Sequence, residues 1–350
     1  MAEFLWSEQD TGPGRIEAAL RDLLKQSAAE GAFVPARVLN LIAIVDREWR
    51  GEIENRLERV GRYHPSRTVI CSIEPGRTQL DAVAYLSGPD AKKPGELAVG
   101  SETVVVDCGP GHVPRLDSLV DALVVPDLPT VAWSPHRHPE AIDAVLSLVQ
   151  VVLLDSIEEP SLTEAVTRAE QLAGSAYVVD LAWLRSTPWR ERIAATFDPP
   201  LWRAELGRLA KITVRHHPDS AMAALLLFGW LCSRLGWQPG SLIQQNGSLR
   251  GRASARRHEV ELCLEPDAHQ AAPGLAGLQI ETASGMSLSL DRGPGGLAAR
   301  RTSRDGREAT WTVLGASRGE AGILGEGIRQ ALLREPTYGP ALEAAGAMVR

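Results

Sequence analysis

From Val38 to Ile73 the chain spells strand, helix, strand, and this succession restricts the fold more than any other feature. Val38–Val45 is a β-branched and leucine-rich run without alternation, the pattern of a strand covered on both faces. Arg50–Gly61 follows with Ile53, Leu57 and Val60 at helical spacing, and Thr68–Ile73 is strand-like again. Two strands joined in this way form a βαβ unit, whose parallel pairing is nearly always right-handed.

The alternation continues. Pro13–Gln26 places Ile16, Leu20, Leu23 and Leu24 on one helical face. Gln79–Leu86 and Glu102–Cys108 read as strands joined by the loop Ser87–Gly100. Val113–Leu123 reads as a helix, Thr130–Trp133 as a short strand, Glu140–Leu148 as a helix and Val149–Leu154 as a buried strand. Ser161-Leu-Thr-Glu164 is a capping box that opens a helix running to Leu172. Thr187-Pro188 reads as an N-cap followed by proline at the first helical position, with Trp189, Ile193 and Phe197 stacked on one stripe. Leu209–Arg215 is a further strand, and Asp219 is placed to cap a helix through Leu235.

After Gly236 a period of two appears. Val260, Leu262 and Leu264 alternate with Glu259, Glu261 and Cys263, and Met286, Leu288 and Leu290 alternate with Ser287 and Ser289. Such strands have one solvated face, as antiparallel sheets allow. Trp311 and Val313 continue the pattern, and a last helix is expected over Glu320–Leu333. At 350 residues two domains are the default. The expected architecture is an N-terminal α/β domain over 1–240 with a mixed, largely parallel sheet. A smaller C-terminal α+β domain over 241–350 follows, with antiparallel strands and a closing helix.

Net charge is −7, from 37 basic and 44 acidic residues, which disfavours a nucleic-acid partner. The first residues, Met-Ala-Glu-Phe-Leu-Trp-Ser-Glu, lack a basic region followed by an apolar one, so no signal peptide is expected. The longest apolar run, Ala221–Cys232, is too short to span a bilayer, so no membrane association is expected. Cys71, Cys108, Cys232 and Cys263 are far apart, form no CxxC and fit a reducing cytoplasm.

No reaction centre stands out. His136-Arg-His138 and His216-His217 lack the further ligands that a zinc site needs. None of the glycine clusters carries the lysine of a phosphate loop, and turns explain them better than a dinucleotide fingerprint. Ser66 has His64 nearby but no orienting acid. No metal and no cofactor are expected.

What remains looks like a recognition surface. His64-Pro-Ser-Arg67 lies where a helix gives way to a strand, and there Arg67 could offer its planar fork to a carboxylate or phosphate. Val125-Pro-Asp-Leu-Pro-Thr-Val-Ala-Trp133 and Asp180-Leu-Ala-Trp183, running on to Thr187-Pro-Trp-Arg190, likewise set Arg, Asp or Trp beside a proline or a helix start. Trp133, Trp183, Trp189 and Trp202 suit a core, and would anchor an interface if they reached the surface.

In this order, beginning at Arg37-Val-Leu-Asn-Leu and ending near Gly236, these segments resemble the OpcA family of glucose-6-phosphate dehydrogenase assembly proteins. The resemblance implies a non-catalytic partner that binds glucose-6-phosphate dehydrogenase and favours its active oligomer, an allosteric activator supporting NADPH supply through the oxidative pentose phosphate pathway. It makes His64, Ser66, Arg67, Asp127, Trp133, Asp180, Trp183 and Arg190 candidate partner-binding residues. Residues 245–315 depart from the family in their Arg and Gly richness. The alternative is an enzyme or sensor that binds a sugar phosphate through Arg67.

Overall fold

The computed structural model describes residues 2–31, 33–61, 64–88, 99–314 and 319–350. Internal contacts divide the chain into two units. The first comprises Met1–Leu154, Leu172–Val179 and Leu324–Leu333; the second comprises Asp155–Gln171, Asp180–Ile323 and Arg334–Arg350.

The first unit opens with strand β1 (Ala2–Glu8), helix α1 (Pro13–Ala29) and a two-residue strand β2 (Val34–Pro35). The βαβ unit expected from sequence follows as β3 (Leu39–Asp46), α2 (Arg50–Gly61) and β4 (Ser66–Ile73), with Ile44 opposite Cys71 in parallel register. Leu39–Val45 are all buried, which is why the run shows no alternation. β5 (Asp81–Gly88) turns back antiparallel to β6 (Val99–Cys108), and β6 lies parallel to β4. The loop expected between them falls mostly at 89–98, outside the described residues.

Next come α3 (Leu116–Asp121), β7 (Thr130–Trp133), α4 (Pro139–Val145), β8 (Val151–Leu154), α5 (Leu162–Ala173) and β9 (Tyr177–Asp180). Most of α5 counts with the second unit. The helix expected over Val113–Leu123 is two pieces, because Pro114 holds Pro110–Arg115 in a 3-10 turn ahead of α3. The sheet runs β1-β5-β6-β4-β3-β7-β8-β9, with β2 beside β6. Within it, β6-β4-β3-β7-β8-β9 reproduces the strand order of doubly wound dinucleotide-binding folds, whose order reverses between β3 and β7.

The second unit contains α6 (Leu181–Arg185), α7 (Thr187–Phe197), α8 (Pro200–Arg203), β10 (Leu209–His216) and α9 (Ala221–Leu235). Strands β11 (Gln238–Pro239), β12 (Ile243–Gln245), β13 (Ser248–Ser254), β14 (Glu259–Pro266) and β15 (Leu275–Thr282) follow, then β16 (Ser287–Gly293), β17 (Gly296–Thr302) and β18 (Glu308–Leu314). Helices α10 (Gly319–Leu333) and α11 (Tyr338–Val349) end the chain, and the latter part of α10 counts with the first unit. The sheet order is β11-β13-β14-β10-β15-β16-β17-β18, with β12 on β13. Among the described residues its strands pair antiparallel throughout, except that β10 and β14 run parallel. The change of texture near residue 240 therefore lies inside this unit, since β10 sits at the centre of its sheet.

The alternating positions face inward as expected: Val260, Leu262, Leu264, Leu288 and Leu290 are buried. Cys263, assigned to the solvated set, is buried too, with its Sγ 3.3 Å from Glu265 Oε1. The cap of α9 is Ser220 rather than Asp219, which is exposed, and Ser220 Oγ instead accepts from Gly274 N at 2.8 Å. Gly229 lets α9 approach α11: a Cβ there would lie 2.0 Å from the Ala341 carbonyl oxygen.

Candidate functional site

Arg67 is not aimed outward, contrary to the expectation from its Pro-fixed junction. In the parallel register of β4 and β6 it lies opposite Glu102, and its Nη2 sits 2.7 Å from Glu102 Oε1. Arg37 Nε donates to the other carboxylate oxygen at 2.6 Å, and Arg67 Nη1 donates to the Leu123 carbonyl at 3.0 Å. Glu102 has no exposure, so the triad is an interior ion cluster whose members depend on each other. The carboxylate that Arg67 recognises is the chain's own.

Ser66, one residue earlier, faces the other side of the sheet and is buried, 3.1 Å from the Thr68 hydroxyl. His64 is half-buried after α2, its N–H bonded to the Val60 carbonyl. Burial lowers its imidazole pKa, the Arg329 charge adds to this and Glu326 opposes it.

The segment Val125–Thr130 is pinned by Asn40, a fully buried amide inside β3. Its Nδ2 donates to the carbonyls of Val125 and Leu128 and to the Thr130 hydroxyl, and its Oδ1 accepts from Val125 N at 2.9 Å. The loop so held turns at Asp127, which is exposed and adopts φ 67°, a left-handed conformation that Asp tolerates better than most residues. Trp133, at the end of β7, is 2% exposed.

At the strand-order reversal, ligands of doubly wound sheets occupy the crevice beyond the carboxyl ends of the strands. Here the turn after β3 is Asp46-Arg47-Glu48-Trp49, with no glycine to let a backbone approach a pyrophosphate. The crevice is bridged by side chains: His138 Nε2 lies 3.2 Å from Asp46 Oδ1, and the Trp49 and His136 rings are 5.7 Å apart. Arg50 Nη1 binds both Asp107 oxygens, at 2.8 and 3.1 Å, and Arg47 lies 3.5 Å from the same carboxylate. Among the described residues no group of three or more His, Cys, Asp or Glu side chains could hold a metal ion.

The third segment builds a buried polar knot in the second unit. Asp180 caps α6: its Oδ1 accepts from the N–H of Ala182 at 2.9 Å and of Ser156 at 3.3 Å, while the Tyr338 hydroxyl donates to Oδ2. Burial, the largest influence, pushes its carboxyl up to about 6. Arg190 lays its guanidinium 3.4 Å from the centroid of the Trp183 ring and donates to the Ser186 and Thr187 hydroxyls. Burial lowers Arg190 to about 10, with the Glu335 charge opposing. Trp183 Nε1 donates to Glu335 Oε2 at 3.2 Å. The helix cap is Ser186, one residue before the expected Thr187.

Of the eight candidate residues, then, Asp127 is exposed and His64 half-buried. Ser66, Trp133, Asp180, Trp183 and Arg190 are buried, and Arg67 nearly so. The structure gathers Asp180, Trp183 and Arg190 into one cluster. The hydroxyl of Ser66 turns to Thr68 rather than to His64, so the two do not form a nucleophile–base pair. Asn40, Glu102, Glu335 and Tyr338 escape a reading by motif; the signal that marks Asn40 is a lone polar residue inside an apolar run, whereas Glu102 sits between Ser101 and Thr103 and carries no such mark.

Two family models match the chain, and both describe domains of a glucose-6-phosphate dehydrogenase subunit. The model of the N-terminal domain matches residues 57–171, and that of the C-terminal domain matches residues 176–342. The chain belongs to the OpcA family. A Synechocystis protein named "Putative OxPP cycle protein OpcA" is 28% identical over 262 residues, covering 73% of this chain and 54% of that protein. A Synechococcus elongatus protein of the same name is 24% identical over 240 residues, covering 67% and 52%. This chain thus spans about half the length of these curated relatives. Among solved structures, the Bacillus subtilis "putative oxidoreductase yvaA" shares 12% identity with a TM-score of 0.49, covering 88% of this chain and 95% of that one.

Proposed function

We propose that this chain is a non-catalytic factor that binds glucose-6-phosphate dehydrogenase and favours its active oligomer, in the cytoplasm and in support of the oxidative pentose phosphate pathway. The observation that carries this reading is the pair of family models, which together account for most of the sequence and both describe domains of a dehydrogenase subunit. The crevice at the strand-order reversal agrees with it, being bridged by the chain's own Asp46–His138 contact. Among the described residues, no helix is long and apolar enough to cross a membrane. The sugar-phosphate reading loses its anchor, because Arg67 is engaged by Glu102.

A factor of this kind must bind the active oligomer more tightly than inactive forms, since equal affinity shifts nothing. By linkage, whatever stabilises that oligomer should strengthen binding of the factor. Asp127 and His64 are the candidate residues we assign to direct contact; the other six hold the framework. The test is to add the purified chain to dilute dehydrogenase and follow activity and oligomer size together. Increased activity with a shift to larger species is expected. Unchanged activity and size at saturating chain, or turnover of glucose 6-phosphate by the chain alone, would overturn the proposal.

A further inference from the structure

The chain passes from β4 to β5 through residues 74–80, which contain no helix, so no crossover helix at that point covers the sheet beside α2. A trough of about 400 Å³ opens there, within the size range of small-molecule sites. Its floor carries six hydroxyls, those of Ser66, Thr68, Tyr85, Ser87, Ser101 and Thr103. One wall is the face of α2 that presents Glu54 and Glu58, one helical turn apart, with Leu57 between them. Ile70 adds a second apolar patch.

We infer that this trough binds a neutral polyhydroxylated ligand of monosaccharide size. Hydroxyls of Ser and Thr both donate and accept, as each hydroxyl of a sugar also requires, and a carboxylate can accept from two neighbouring ligand hydroxyls. Leu57 and Ile70 suit the C–H faces of such a ligand. Among the described residues that line it there is no lysine or arginine to pair with a phosphate. A strongly cationic ligand is less well matched, because Arg50 already lies 4.0 Å from Glu54 and burial disfavours the charged form of that carboxyl. This site lies on the opposite sheet face from Arg67 and Glu102, and it requires no dehydrogenase.

The experiment is a ligand-observed NMR titration of the full chain alone with D-glucose, sorbitol, glucose 6-phosphate and spermidine. Saturable binding of glucose or sorbitol near the millimolar range is expected. Thr103→Val, which removes a hydroxyl, and Glu54→Gln, which turns one acceptor oxygen into a donor NH2, change shape little and should each weaken it about tenfold. Their melting temperatures should stay close to the parent's. Should Thr103→Val fail to fold, Glu54→Gln on the helix wall decides alone. No saturable signal from either polyol overturns the inference, as does unchanged affinity in the folded variants. Tighter binding of glucose 6-phosphate or spermidine overturns it as well, by giving the trough a charged ligand.

Discussion

Replacing Asp180 by Asn should stabilise the second unit at neutral pH. The carboxylate is fully buried, and although Ala182 N, Ser156 N and the Tyr338 hydroxyl all reach it, burial outweighs them. A carboxyl raised from its ordinary 3.8 to about 6 on folding is a linkage effect of about 3 kcal/mol. The sign follows from which form the fold prefers. The neutral form is preferred, so the contribution is intact below about pH 4 and is lost as pH rises through about 6. Asparagine is neutral throughout. Its Oδ1 keeps the two backbone bonds, and its Nδ2 can donate to the Tyr338 oxygen, reversing that bond without losing it. Asp180→Asn should therefore match the parent near pH 4 and exceed it by up to about 3 kcal/mol near pH 7.5. Urea melts at both pH values, followed by tryptophan fluorescence, provide the comparison, since Trp183, Trp189, Trp202, Trp230, Trp237 and Trp311 all belong to the second unit. A variant equal to the parent at both pH values, or weaker at both, would show that the charged form is welcome in this site, and the reasoning from burial would fail.

Arg67→Ala should lower stability by about 3 kcal/mol, because it takes from the buried Glu102 one of its two arginine partners and leaves Arg37; a denaturant melt with an unchanged midpoint would return Arg67 to a surface role. Trp189→Ala should cost about 3–5 kcal/mol, as Trp189, Ile193 and Phe197 are each 2% exposed; a fully stable variant that no longer binds the dehydrogenase would place Trp189 at an interface instead. Asp127→Asn, which tolerates the same φ of 67° and removes only the charge, should leave the melting temperature unchanged and weaken dehydrogenase binding roughly threefold to tenfold in a titration. Equal affinity in the variant would remove Asp127 from the contact.

The parts of the fold legible in the sequence are those whose burial imposes a period. The run through Ile42 and Ile44 has no alternation because both faces are covered, and the Val260–Leu264 stretch alternates because one face meets water. The N-cap half of the expected capping box is also present, with Glu164 N donating to Ser161 Oγ at 3.2 Å, while the Glu164 carboxylate accepts from the Ser161 hydroxyl. Elements without such a mark escape a reading by pattern. β1 is an edge strand, β9 has four residues, and α11 is built of Ala and Gly positions with no side-chain cap. β10 reads as a strand, but a local pattern cannot name its partners, and they lie some fifty to seventy residues further on. Arg67 misleads for a similar reason. A helix-to-strand junction fixes where the backbone turns, whereas the side chain's direction follows from strand parity, and parity sends Arg67 to the face where Glu102 waits.

That parity changes the meaning of the family's sequence marks. Asn40 ties the Val125–Thr130 loop to the central strand, Glu102 joins Arg37 to Arg67, and Asp180 ties α6 to Tyr338. Each is an interior polar group whose loss leaves another buried polar group unpaired, so the sequence around it is constrained by folding whether or not a partner ever docks. A side chain without accessible surface can influence a partner only through the shape it maintains. Substitutions at Trp183 or Asp180 that change binding should therefore change stability as well, and the two effects should scale together. A surface contact has no such coupling, which is why Asp127, exposed at the tip of a loop that Asn40 holds still, separates recognition from architecture where the six interior residues cannot.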